Sequence, residues 1–166
     1  MKTLKFTLPI SPLANKETMI SQKGFSYTPA EKKKYMKQCA AMMANFKDRF
    51  KGVACIKLSI VFVCDRPRAC PVHIPSGLWK SMSLQFYKST RPDIDNYLKP
   101  IQDSMSNQVI EQKKNALKVV ISQIKGAGII DDDSNIVSLT AKKVYRKLSQ
   151  NSHIQIKITE LNYIYE

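Results

Sequence analysis

Ile56-Lys57-Leu58-Ser59-Ile60-Val61-Phe62-Val63 is the stretch that settles the fold class. Ile56, Leu58, Ile60 and Phe62 recur at every second position, the period of a strand, while Val61 and Val63 make the later half apolar on both faces. A strand of this kind needs cover on both sides, which places it at the centre of a sheet.

Working outward, Leu4, Phe6 and Leu8 alternate with Thr3, Lys5 and Thr7 until Pro9, the pattern of a half-buried strand stopped by proline. A loop with Pro12, Asn15 and Gly24 leads to Thr28-Pro29-Ala30-Glu31, a capping box with proline at the first helical position. The helix predicted from there carries Tyr35, Met36, Cys39, Met43, Phe46 and Phe50 at helical spacing and closes at Gly52. On the other side of the central strand, Pro67, Pro71, Pro75 and Gly77 with Arg66 and Arg68 predict a long basic loop over 65–82. Trp79 in that loop either stacks on a base or packs, and the general tendency of Trp to be buried favours packing.

Leu84 and Phe86 permit a short strand, and Arg91-Pro92-Asp93 turns into a helix with an apolar stripe of Ile94, Tyr97, Leu98, Ile101 and Met105. Asp95, Lys99 and Asp103 share another face at four-residue spacing. The polar run 106–115 interrupts or bends this helix, and Leu117, Val120, Ile121 and Ile124 predict a second helical segment ending near Gly126. Two strands close the chain, near 136–145 and 154–161. The order of elements predicts an α/β (α+β) fold, a mixed β-sheet packed with helices, as a single domain over residues 1–166. Strand order is not written in the pattern.

Composition narrows the function. At 166 residues with 43% hydrophobic and 24% charged residues, the chain suffices for one ordinary core. Against 13 Asp and Glu stand 27 Lys and Arg, and a net charge of +14 attracts polyanions: nucleic acid, acidic lipid or an acidic protein. Cys39, Cys55, Cys64 and Cys70 form no CxxC pair and are expected to be free thiols. The first 25 residues hold no apolar signal core, and no run of about 18 apolar residues occurs, so a cytoplasmic protein without membrane insertion is expected. No G-x-x-x-x-G-K is present, and His73 and His153, the two histidines, lie in no recognisable hydrolase motif.

Five of the eight aspartates gather in Asp93-Ile94-Asp95 and Asp131-Asp132-Asp133. Like charges a few ångströms apart repel unless a cation lies between them, and hard ions such as Mg²⁺ take carboxylate oxygens while leaving positions open for water and phosphate. Plainer accounts exist: aspartate caps helix starts, and an acidic triplet before Ser134-Asn135 makes a polar turn. Together, in so basic a chain, the two clusters favour a metal site.

Arg91-Pro92-Asp93-Ile94-Asp95-Asn96 with Lys99 and Asp103, followed by Gly128-Ile129-Ile130-Asp131-Asp132-Asp133, resembles the RusA-like Holliday-junction resolvases. Thr7-Leu8-Pro9 and Lys142-Lys143-Val144-Tyr145 extend the likeness. The resemblance implies a Mg²⁺-dependent endodeoxyribonuclease, with Mn²⁺ as a substitute, that resolves four-way DNA by paired symmetric nicks and acts as a homodimer. By position it implies that Asp93, Asp95 and Asp133 are catalytic metal-binding carboxylates, that Asp132 is an auxiliary acid, and that Lys99 is the essential basic residue. Asn96 would orient a carboxylate or a water. Two departures stand out: Asp131 adds a third acid to the usual pair, and the stretch from Asp103 to Gly128 is longer than in compact members, room for an added helix at the surface or a dimer interface. The rival functions are a non-catalytic basic module binding DNA or RNA, with the aspartates as caps and Lys99 paired to Asp95 and Asp103, and another metal-dependent phosphoesterase.

Overall fold

The computed structural model describes residues 1–14, 19–20, 26–27 and 30–162. The chain runs β1 (Thr3–Leu8), β2 (Met19–Ile20), β3 (Ser26–Tyr27), α1 (Ala30–Met43), β4 (Ile56–Cys64), α2 (Ser76–Trp79), β5 (Phe86–Tyr87) and α3 (Ile94–Met105). It continues through β6 (Val109–Lys114), β7 (Val120–Lys125), β8 (Ile136–Tyr145) and β9 (His153–Glu160), with single 3-10 turns at Ala44–Phe46 and Asp133–Asn135.

Five strands form one sheet in the order β1-β9-β4-β8-β5, so the stretch 56–63 is central as its pattern required. β4 runs parallel to β8 and antiparallel to β9, and the β1–β9 and β5–β8 pairs are antiparallel, which makes the sheet mixed. Leu58, Ile60 and Phe62 of β4 and Ile154, Ile156 and Ile158 of β9 meet Met36, Cys39 and Met43 of α1 and Leu98, Ile101 and Met105 of α3 in one buried core. Alternation along the strands sends these side chains to one face. Cover on the opposite face is thinner than the sequence suggested: Val63 is fully buried, but Ser59 and Val61 are half-buried and Lys57 is exposed.

Three expectations need correction. The first helix ends at Met43, well short of Gly52. Asp48 (φ 60°) and Gly52 (φ 72°) take left-handed conformations, and two backbone donors of this stretch reach another segment, Asp48 N–H to Gly128 O (2.8 Å) and Phe50 N–H to Ile129 O (2.9 Å). Thr28 and Pro29 of the expected capping box lie outside the described residues, as do Asn15 and Gly24.

Secondly, the helical segment expected over 117–124, and with it the added surface helix, is the hairpin β6–β7. Asn115 turns the chain: its side-chain oxygen accepts from Leu117 N–H (3.0 Å) and Val119 N–H (2.9 Å), and Lys118 sits at φ 60°. Val119, Val120 and Ile121 are three β-branched residues in succession, poor in a helix and good in a strand. Every residue of β7 is exposed, so no packing surface exists to stabilise an amphipathic helix there.

Thirdly, the loop expected over 65–82 is interrupted by the short helix α2 at Ser76–Trp79, and Arg66 ahead of it turns inward. Its guanidinium donates to Arg146 O (2.6 Å), Leu84 O (2.6 Å) and Trp79 O and lies 4.7 Å from the centre of the Trp79 ring. Trp79 is buried as favoured, edge-on to Tyr145. The short strand expected at Leu84 and Phe86 is Phe86–Tyr87.

Candidate active site

α3 begins where its sequence said. Asp93 is the N-cap residue in extended backbone, Asp95 stands in the first turn, and Tyr97, Leu98, Ile101 and Met105 bury the inner face while Ile94 is half-buried. Asp93 has the backbone of a cap without using its side chain as one. Asp93 and Asp95 are both exposed, and neither carboxylate has a polar partner among the described residues. Asp93 thus gives the capping account no side-chain bond, while Asp95 keeps the first-turn position that suits the helix dipole.

Two lysines fix the approach to this helix. Lys88 Nζ donates to Thr90 O (2.9 Å) and Arg91 O (2.7 Å), and Lys143 Nζ from β8 donates to Thr90 O (2.9 Å) and Pro92 O (2.6 Å). Desolvation first, and then the charge of Lys143, push the Lys88 ammonium below its ordinary pKa. The loop 90–92 is thus tied to the sheet immediately before Asp93.

The acidic triplet comes up beside the middle of α3. Ile129 and Ile130 are fully buried and anchor it, Ile129 N–H bonding to Met105 O at the end of α3 (2.8 Å). Each acid then has a separate partner. Asp131 accepts from Gly52 N–H (2.7 Å), Asp132 accepts from Ser134 N–H (2.9 Å), and Asn135 donates to Val53 O (2.8 Å). The Ser134 backbone bond is the main reason that Asp132 is held below the usual carboxylate range.

Asp133, between these anchors, meets Lys99: Nζ donates to its Oδ2 at 2.7 Å. The same ammonium lies 2.9 Å from Asp103 Oδ1, one helical turn further on. That oxygen is buried, with the Lys99 ammonium as its ionic partner. The Asp133 bond, ahead of the influence of Asp103, raises the Lys99 pKa. Of the expected partners of Lys99, Asp103 is present and Asp95 is not.

The structure thus joins Lys99 and Asp133, sets Asp93 and Asp95 at the head of the same helix, and leaves Asp132 closing its own turn. The donors are hard carboxylate oxygens, and those of Asp93 and Asp95 have no polar partner among the described residues, a chemistry suited to a divalent cation. The fit is one of donor chemistry rather than of a preformed cage, since no three Asp, Glu, His or Cys residues converge into a metal-holding group among the described residues. Asp103 was not counted among the candidate acids, although its four-residue spacing from Lys99 was the available signal. The anchoring role of Lys88 left no local trace in the sequence, whereas Lys143 stands in the Lys142-Lys143-Val144-Tyr145 stretch that shares the family likeness.

No curated protein matches the chain. A family model, Endodeoxyribonuclease RusA, matches residues 9–114, more than half of the 166 residues. The matched span contains Asp93, Asp95, Lys99 and Asp103 and ends at the last residue of β6, before the acidic turn; Asp133 is tied to it by the Lys99 ion pair. On this match and the mixed α/β architecture, the chain belongs to the RusA endodeoxyribonuclease family, metal-dependent nucleases that resolve Holliday junctions.

Proposed function

We propose that Asp93, Asp95 and Asp133 hold the catalytic metal, that the ion is Mg²⁺ with Mn²⁺ able to replace it, and that Lys99 contacts the scissile phosphate with Asp132 auxiliary. The carrying observation is the Lys99 ammonium shared between Asp103 of α3 and Asp133 of the acidic turn, because it draws together two segments that the sequence keeps apart. When bound, a hard divalent cation polarises a water and offsets charge building at the phosphate. The chain's own part is positional. Lys88 and Lys143 hold the entry to α3, Asp131 and Asn135 hold the turn, and Lys99 offers a cation to the substrate's phosphate.

The nuclease domain spans residues 1–166, a reading supported by β8 and β9, which lie beyond the matched residues yet occupy inner positions of the same sheet. The chain acts as a homodimer whose two symmetric sites nick opposed strands of a four-way junction. A cytoplasmic location suits its four free cysteines, and no helix among the described residues is long and apolar enough to cross a membrane.

The test is cleavage of a labelled synthetic four-way junction beside a linear duplex of the same sequence, with and without Mg²⁺, using Asp95→Asn as control. Paired nicks in the junction alone, lost in the variant while binding persists or tightens, are the expected result. Full cleavage by Asp95→Asn would remove that residue from the site, and binding without cutting in both Mg²⁺ and Mn²⁺ would make the chain a non-catalytic DNA-binding relative.

A further inference from the structure

Between the last turn of α3 and the acidic turn, the chain forms a ribbon that packs little of itself against the body. Residues 112–125 are all exposed. Two strands of six residues extend about 20 Å at roughly 3.3 Å per residue. The base of the ribbon is clamped, by Gly126 N–H to Gln108 O (2.9 Å), by Ala127 N–H to Ser104 O (2.7 Å), and by an ion pair of Glu111 with Lys37 of α1. It is therefore a held arm with a free end.

Its chemistry selects an occupant. Glu111, already engaged by Lys37, is the one acid between 104 and 127, against Lys113, Lys114, Lys118 and Lys125. A groove of about 390 Å³ between the ribbon's base and α1 adds Lys47 to the same basic region. Cross-strand neighbours mix polar and apolar, Glu111 opposite Ile124, Gln112 opposite Gln123 and Lys113 opposite Ser122. Val120 and Ile124 are exposed as well, each with a charged residue opposite, Lys114 and Glu111, so charge breaks up the apolar area that a second protein copy would bury. At the free end Leu117 is 83% exposed, between Lys114 and Lys118.

We propose that this ribbon is a DNA-gripping arm for branched substrates: its lysines contact backbone phosphates and Leu117 meets bases uncovered at the branch point. Within a duplex the bases are stacked and hidden. At a crossover they are accessible to an apolar wedge, so the tip recognises the branch while the lysines recognise DNA in general. The substrate rests on the junction-nuclease reading; the arm itself is additional to it.

The experiment uses the full chain in Ca²⁺, with a four-way junction carrying 2-aminopurine at the branch point and a duplex of the same sequence, titrated across a salt series. Lys113→Gln/Lys114→Gln/Lys118→Gln should flatten the slope of log K against log salt by about 2.7 if each lysine meets one phosphate, with arginine at the three positions restoring it. Leu117→Ala should lower junction affinity about five-fold or more, leave duplex affinity unchanged, and abolish the 2-aminopurine signal. Wild-type affinity and slope in both variants would overturn the proposal. So would a halved sedimentation mass with unchanged binding per subunit, which would make the ribbon a contact between copies. Loss of the fold in either variant would count against it too, since a free arm contributes little to packing. Failure of the junction reading looks different: the wild-type chain itself would neither prefer the junction nor cut it in Mg²⁺.

Discussion

Asp103 illustrates how one carboxylate can act through a neighbour. Its buried oxygen is paired at 2.9 Å with the ammonium of Lys99. Asp103→Asn keeps the shape and removes the charge, leaving Asp133 as the sole anionic contact of Lys99. Single-turnover cleavage should slow by about 10- to 100-fold, the usual cost of losing a residue that supports a metal-site side chain, while junction binding persists. An unchanged rate would take Asp103 out of the site. The thiols give a second residue-scale expectation. Burial pushes Cys39 from 9.0 up to about 12 and also raises Cys64, while Cys55 is exposed. At pH 8 a thiol reagent should label Cys55 readily and reach Cys39 and Cys64 only on unfolding. The protonated Cys39 of the folded state implies full stability below about pH 9 that is lost progressively as pH rises toward 12, since the unfolded thiol ionises first; alkaline melts check this.

At the scale of elements, the acidic turn is placed by the crossing of 126–129 over the end of α3. A Cβ on Gly126 would come 2.2 Å from Ser106 O and 2.6 Å from Asp103 O, both backbone atoms that cannot swing aside. Gly126→Ala should therefore destabilise by roughly 1–3 kcal/mol, as overpacking does, and lower cleavage by displacing the backbone of Asp103. Gly77→Ala, with nothing within 4 Å of the new carbon, should stay within about 0.5 kcal/mol of the wild type. Equal melting points for the two variants would contradict this account of the crossing. The elements themselves were legible wherever an apolar period was long and its apolar side was buried. α3 announced itself through five stripe residues and β4 through eight alternating or apolar positions. The hairpin was misread because Leu117, Val120, Ile121 and Ile124 have helical spacing by coincidence. They bury nothing in common, and Asn115 chemistry with three successive β-branched residues decided the local structure instead.

For the whole molecule, a net charge of +14 should make junction binding fall steeply with salt, log K dropping by about 0.9 for each phosphate contacted per tenfold rise in salt. Binding indifferent to salt would mean that the lysines serve another purpose. What the sequence determined by itself is local and compositional: the central apolar strand, the α3 helix with Asp93 and Asp95 at its head, the basic surplus, and the paired acidic motifs that mark the family. These depend on residues within a few positions of one another, or on simple sums of charge. What only the tertiary structure decided is non-local. It set the order β1-β9-β4-β8-β5, the capture of 48–50 by the backbone of 128–129, and the meeting of Lys99 with Asp133, 34 positions apart in the chain. Such pairings follow from how buried faces and unpaired backbone groups are satisfied all at once, and no window of sequence contains that information.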